Sequence, residues 1–268
     1  MTRGALLFAH NSPTTNYYDM AIYAANRINH FLKIPVTLVT DEESVQENSY
    51  IFDNVIITPP NKDNARDRDP WFNKGRYQAY EFSPYDETLL IDVDYIINSD
   101  KLLKTFDTMV DFCCHDSTSF LMYPDNPQDV LSPYSYMTLW ATVIAFRKTE
   151  RVRQIFECLH MVQENYDHYC NIHNFMAGAF RNDYALTLAL RIANGHTTLP
   201  GDIIPWDLVH IGRNTIVQPN STEPFNTEFT IMFDRWNRGK IKKEYITIKD
   251  CDIHLIVKPN FIELMANG

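Results

Sequence analysis

Two carboxylates one residue apart, Asp92 and Asp94, stand behind the aliphatic run Leu89-Leu90-Ile91 and ahead of a second apolar run, Tyr95-Ile96-Ile97. An apolar stretch this short, with Ser83-Pro84-Tyr85-Asp86 before it and Asn98-Ser99-Asp100 after it, predicts a buried strand rather than a helix. Side chains alternate along a strand, so the spacing predicts both carboxylates on one face. Two anions side by side at the end of a buried strand repel and lose hydration, a cost that a cation between them removes. Oxygen ligands on so short a motif suit Mg2+ or Mn2+, with water and a phosphate completing the shell. The chemistry such a site does is the breaking of a bond to phosphate. The plainer alternative is a strand-end cap to a turn.

Other groups could join that chemistry. Between Asn61 and Tyr77 the chain carries Lys62, Arg66, Arg68, Trp71, Lys74 and Arg76, partly balanced by Asp63, Asp67 and Asp69. Leading into a helix predicted over 73–82, this segment would offer cations and a helix start to a diphosphate, or else form a solvated loop. Asp183 opens another predicted helix, where it would face an acceptor as base or orienting group, or cap the helix together with Asn182. The run Arg235-Trp236-Asn237-Arg238-Gly239-Lys240-Ile241-Lys242-Lys243 puts an aromatic ring among cations. That composition suits a nucleic-acid strand, and equally a charged hairpin turn around Gly239. Cys158, His160, His168, Cys170 and His173 match no closed zinc spacing, and Asp100 reads as a helix cap rather than a third metal ligand.

The elements that must position these groups follow from apolar periodicity. Strands are predicted over 5–9, 35–40, 52–58, 119–122 and 140–146, besides the acidic strand. Helices are predicted over 17–32, with Met20, Ala21, Ala24, Ala25, Ile28 and Leu32 on one side, and over 101–112 and 184–193. Thr149 is the expected N-cap of a further helix reaching about 166. Ile203-Ile204-Pro205-Trp206 reads as an exposed apolar turn, and short strands with turns run from 216 onward. Alternating strands and helices in the first half describe a nucleotide-binding α/β fold, and the absence of Gly-x-Gly-x-x-Gly counts against a dinucleotide.

At 268 residues the chain suffices for one large α/β domain, and no repeat or linker divides it. A net charge of −10 counts against a surface that coats itself with nucleic acid, though not against a local basic site. Five cysteines without paired spacing, no signal segment and no apolar run near membrane-span length predict a soluble cytoplasmic protein.

In that order the chain resembles the GT-A class of glycosyltransferases. The match runs through an opening strand, Asp41 after the second strand, Lys74 and Arg76 on a helix, Asp-x-Asp at Asp92 and Asp94, the acidic helix start Asp183, and a late His254 ahead of Lys258-Pro259. In glycosyltransferase family eight a late His ahead of Lys-Pro-Trp completes the metal site; here the gap is shorter and Asn260 replaces Trp. The strand Trp140-Ala141-Thr142-Val143 stands where such enzymes hold the donor sugar, without their Asn-Ala-Gly. Arg3-Gly-Ala-Leu-Leu-Phe-Ala-His-Asn-Ser12, Lys74-Gly-Arg-Tyr77 and Tyr85-Asp-Glu-Thr-Leu-Leu-Ile-Asp-Val-Asp94 are similar to glycosyltransferases of tailed phages, whose location would be the host cytoplasm.

The resemblance implies a single Rossmann-like domain with a mixed, mostly parallel sheet, a catalytic core over 1–215 and an extension over 216–268 that completes the active site. It implies a UDP-sugar donor bound by Asp41, Lys74, Arg76, Asp92 and Lys258, with Mn2+ or Mg2+ held by Asp92, Asp94 and His254. Asp183 would be catalytic. The acceptor would be a hydroxyl, such as that of a 5-hydroxymethylated pyrimidine in phage DNA reached through Arg235, Trp236, Arg238, Lys240, Lys242 and Lys243. Three alternatives stand beside it. A haloacid-dehalogenase-like phosphatase wants the motif near its start and Thr or Val where Ile96 stands. A nucleotidyltransferase usually opens with a Gly-rich loop, and a non-catalytic sugar-nucleotide binding protein would keep the site without turnover.

Overall fold

A computed structural model of the chain describes residues 1–59, 65–66, 69–70, 72–120, 130–133, 135–175, 180–197, 199–212, 215–237, 240–256, 258, 261 and 265, without the side chains of 65–66, 69–70, 72–74, 120 and 236–237. The first half runs β1 (Arg3–Phe8), α1 (Tyr17–Arg27), β2 (Val36–Thr40), β3 (Asn54–Ile57), β4 (Ala65–Arg66), β5 (Asp69–Pro70), α2 (Ala79–Phe82), β6 (Glu87–Ile91), β7 (Tyr95–Ile96), α3 (Leu103–Thr108) and β8 (Phe112–His115). The second half runs β9 (Thr118–Phe120), β10 (Trp140–Arg147), α4 (Glu150–Glu164), α5 (Tyr166–Ile172), α6 (Asn182–Ala193), β11 (Leu208–Ile211), β12 (Thr215–Pro219), β13 (Glu228–Asn237), β14 (Lys240–Lys249) and β15 (Ile253–Leu255).

Continuous aliphatic runs cannot leave one face to water, and β2 and β6 are buried along their whole length. Alternation then sorts their side chains. Ala5, Leu7, Leu89 and Ile91 pack with the apolar stripe of α1, while Leu6, Phe8 and Leu90 pack with Ile155 and Leu159 of α4 and Leu186 and Leu190 of α6. The strands form a six-stranded sheet in the order β3-β2-β1-β6-β10-β8. β3, β2, β1 and β6 are parallel, and β10 runs antiparallel to both β6 and β8. This is the mixed, mostly parallel α/β sheet expected from the sequence. From β1 the chain passes to β2 on one side and later to β6 on the other, so a crevice opens at the carboxyl ends of β1 and β6.

A second sheet, β7-β15-β11-β9, and a three-stranded meander, β12-β13-β14, complete the fold. β15 pairs antiparallel with β7 and parallel with β11, so a strand from the end of the chain lies beside the residues that follow Asp94.

Several elements differ from expectation. The helix expected over 17–32 is α-helical to Arg27 and continues as a π-helical turn, Ile28–Leu32, that stops at Lys33 with φ 54°. The segment expected as a helix over 73–82 is a 3-10 helix, Phe72–Gln78, followed by the single turn of α2. The helix expected over 101–112 ends at Thr108, because Phe112 already pairs with Phe146 in the main sheet. The turn around Ile203-Ile204 is not exposed: Ile204 is buried and its N–H donates to Cys114 O at 2.9 Å. Thr149 caps α4 as expected, its hydroxyl accepting from Val152 N–H at 3.3 Å.

Candidate functional site

β6 stops at Ile91, one residue short of the acidic pair. Asp92 N–H still donates to Thr142 O of β10 at 2.9 Å, but Asp92-Val93-Asp94 is a turn closed by Tyr95 N–H on Asp92 O at 3.0 Å. Strand alternation therefore does not bring the two carboxylates together. The turn does, and β15 fixes its far side: Leu255 N–H donates to Asp94 O at 3.0 Å, and His254 is the register partner of Tyr95.

One ligand atom each from Asp92, Asp94 and His254 lies within 4.8 Å of the others, the one such trio of metal-ligating side chains among the described residues. Two cations close round it. Arg76, 3% exposed, donates through one terminal nitrogen to Asp92 Oδ1, and its other terminal nitrogen is buried with no hydrogen-bond partner among the described residues. Lys258 donates to Asp94 Oδ2, the oxygen that His254 Nε2 faces at 3.5 Å. The Lys258 ammonium also lies 5.8 Å from the centre of the Tyr17 ring, at the start of α1.

These surroundings push the two carboxyls apart. Burial raises Asp92 to about 6, helped by its anionic neighbours Asp94 and Asp183 and opposed by Arg76 and His254. Burial acts on Asp94 in the same sense, but Lys258 and His254 outweigh it and hold Asp94 well below the usual carboxylate range. For Lys258, burial favours the neutral amine, yet Asp94 outweighs it and the pKa lies above its ordinary value. Two carboxylates and an imidazole are a donor set for a hard or borderline divalent cation such as Mg2+ or Mn2+, and the crowded negative charge at Asp92 fits one.

Asp183 does not cap α6; Arg181 occupies the N-cap position without a side-chain bond. The Asp183 carboxylate instead accepts from Ala141 N–H at 2.9 Å and lies 3.4 Å from the Arg181 guanidinium, which ties α6 to β10 beside Thr142. Asp41 is buried at the end of β2, where its carboxylate accepts from Ser44 N–H at 2.7 Å. Ser44 Oγ accepts from Asn11 N–H at 2.8 Å, and Asn11 Oδ1 from Tyr18 N–H at 2.9 Å, so Asp41 anchors the loops that follow β1 and β2. The side chain of Lys74 lies outside the described residues, as do Lys62, Arg68 and Trp71.

The basic run is a hairpin. Arg235 pairs across the strands with Lys242 and Asp234 with Lys243, and Arg235 reaches Glu244 at 3.2 Å. β12 covers only Phe229–Phe233 of β13, so the ribbon continues past its third strand with Lys240, Lys242 and Lys243 exposed. Arg238, Gly239 and the side chain of Trp236 lie outside the described residues. In the Cys/His segment, His160 stacks on Tyr77 at 3.9 Å and Cys170 is packed in the core.

Tyr17 and His210 carry no mark in the sequence, and Thr142 is marked only as part of the strand expected at the donor sugar. Tyr17 follows an ordinary Asn16 cap, and Thr142 sits in an apolar strand. His210 is one polar residue in Leu208–Ile211, yet its Nδ1 lies 3.0 Å from His254 Nδ1; the Thr142 hydroxyl is 3.4 Å from the same nitrogen.

No protein-family model and no curated protein matches the chain. Among solved structures it is similar to the glycosyltransferase GlyE of Streptococcus pneumoniae TIGR4, at 13% identity and a TM-score of 0.47, over 76% of this chain and 46% of that one. Mouse xyloside xylosyltransferase 1 matches at 11% identity and a TM-score of 0.47, over 77% of this chain and 86% of that one. The galactosyltransferase LgtC, in complex with donor and acceptor sugar analogs, matches at 14% identity and a TM-score of 0.44, over 70% of each chain. The chain thus spans less than half the length of GlyE. No helix among the described residues is long and apolar enough to cross a membrane.

Proposed function

We propose that the chain is a metal-dependent glycosyltransferase that moves a sugar from a nucleoside diphosphate donor, UDP-sugar foremost, to a hydroxyl acceptor. The observation that carries this reading is the trio Asp92, Asp94 and His254 at the mouth of the sheet's crevice, with Arg76 and Lys258 beside it. Mn2+ or Mg2+ held by the trio would neutralise the charge that develops on a departing diphosphate. Arg76 already spends one terminal nitrogen on Asp92 and has another buried with no partner among the described residues, a fork suited to a phosphate oxygen. Lys258 offers a second cation at Asp94, and Tyr17 an aromatic ring next to it. Asp41 and Lys74 complete the proposed donor site.

Asp183, held by Ala141 N–H and Arg181, is placed in this reading as base or orienting group for the acceptor hydroxyl. Residues 1–215 would form the catalytic core, and 216–268 would complete it by supplying His254 and Lys258. A 5-hydroxymethylated pyrimidine in DNA is the acceptor that the exposed lysines of the β13–β14 ribbon favour. A phosphatase would need Asp92 free as a nucleophile, and its ion pair with the buried Arg76 disfavours that.

The test is a thermal-shift panel of nucleoside diphosphates with and without Mn2+, on wild type and Asp94→Ala. Linkage requires a ligand that binds only the folded state to raise the melting temperature. One diphosphate is expected to stabilise wild type only with Mn2+, with the shift lost in the variant, and the matching nucleotide sugar is expected to be consumed. No shift with any diphosphate would refute the reading.

A further inference from the structure

The contact between His210 and His254 has a direction that matters for whatever the trio holds. Two imidazole Nδ1 atoms 3.0 Å apart share one proton. If His210 were the donor, a neutral His254 would carry its own proton on Nε2, pointing N–H at Asp94 with no lone pair left for a metal. If His254 is the donor, its Nε2 lone pair faces the space it shares with Asp94 Oδ2, 3.5 Å away. We infer that His210 is a positioning residue: it accepts the Nδ1 proton of His254 and thereby commits Nε2 of His254 to the metal. This rests on the reading of Asp92, Asp94 and His254 as a metal centre.

The fold builds this acceptor with little freedom. His210 and His254 are register partners in the parallel pair β11–β15, so their side chains leave the sheet side by side. Their rings meet edge to face, with centroids 4.8 Å apart and planes at 68°. The Trp140 ring, 5.3 Å from His210, backs it from β10. His210 is buried, and the Thr142 hydroxyl lies farther from His254 Nδ1, at 3.4 Å against 3.0 Å for His210 Nδ1. Metal-bound histidines generally give their second N–H to a carboxylate or a carbonyl. Here a carboxylate would add a negative charge beneath Asp92, Asp94 and Asp183. A neutral imidazole fixes the tautomer without adding any.

The experiment compares wild type, His210→Leu and His210→Asn by calorimetric titration with Mn2+ alone. It adds a 15N spectrum of the histidine rings in Mg2+-loaded wild type. Leu removes the acceptor, whereas the Asn side-chain oxygen can stand near the Nδ1 position. Loss of an outer-shell partner of this kind weakens metal binding about tenfold or more, so His210→Leu is expected to fall by that factor and His210→Asn to recover most of it. The 15N spectrum is expected to show His254 protonated at Nδ1 and His210 at Nε2. Unchanged affinity in His210→Leu, equal loss in both variants, or a proton on Nδ1 of His210 would each overturn the inference while leaving the metal centre standing. Failure of wild type to bind Mn2+ would remove both. Should His210→Leu not fold, His210→Asn and the spectrum still decide.

Discussion

Lys258 and a divalent cation would draw on the same carboxylate. The ammonium rests on Asp94 Oδ2, and a metal held between Asp92, Asp94 and His254 would draw on the charge of the same carboxylate. On the proposed reading, Lys258 leaves Asp94 for a phosphate oxygen when the donor arrives. Lys258→Met keeps the length of the side chain and removes its charge. It is therefore expected to bind Mn2+ alone several-fold more tightly, and a nucleoside diphosphate with Mn2+ about tenfold more weakly, the order of one charge-assisted bond. Calorimetry reads both, and a change of the same sign in the two titrations would contradict the exchange. At this scale the charged members of the site were legible, because Asp92, Asp94 and Lys258 flank apolar runs where charge is expensive and Arg76 stands in a cluster of cations ahead of them. His210 and Thr142 were not. Their side chains meet the site at His254, 44 and 112 residues away, and no local pattern reports that.

The turn that holds the acidic pair depends on how β7 and β15 are fastened below it. Asn98 N–H and the Ser99 hydroxyl both donate to Asp252 Oδ1, at 2.7 and 3.0 Å. Arg27 reaches up from α1 to Ile97 O at 2.7 Å and to Asn98 Oδ1. Burial pushes the Asp252 carboxyl up to about 6, more than the hydrogen bonds from Asn98 and Ser99 pull it down, and its other oxygen has no hydrogen-bond partner among the described residues. A folded-state pKa above the unfolded value means that the folded form keeps a proton the unfolded chain has released. This group's contribution is thus fully present below about 4 and is lost as pH rises to about 6, by about 3 kcal/mol at most. Asp252→Asn retains the acceptor oxygen and cannot ionise. Urea unfolding from pH 4 to 7 is expected to show wild type losing stability relative to the variant; parallel curves would mean that this carboxyl ionises freely in the fold. Elements with short, mostly apolar runs, such as β1, β2 and β10, could be read from sequence, and α4 from the Thr149 cap ahead of it. β8 could not, since Phe112-Cys113-Cys114-His115 directly follows a helical stretch and declares itself only by pairing with β10. The acidic pair was placed in the right neighbourhood by the wrong geometry, a strand face instead of a turn.

On the scale of the whole molecule, a chain of net charge −10 carries an exposed ribbon whose Lys240, Lys242 and Lys243 oppose Asn237, Arg235 and Asp234 in turn. If that ribbon meets DNA, reversing Lys240, Lys242 and Lys243 to Glu should weaken duplex binding and flatten its salt dependence, by about one unit of log–log slope for each phosphate the ribbon no longer neutralises. Because the three side chains are exposed, the melting temperature should change little. Wild type that ignores DNA at low salt, or a variant that binds as wild type does, would exclude the DNA acceptor. The pairing of β7 with β15 has one more consequence, for the order in which the protein is made. Asp94 and Lys258 stand 164 positions apart, and the loop between them closes only when the last strand docks. During synthesis the large sheet can form while the acidic turn is still without His254 and Lys258. A nascent chain would thus form its large sheet well before the trio and Lys258 come together, and Ile253, Leu255 and Phe261 would be the last to close the core around α1.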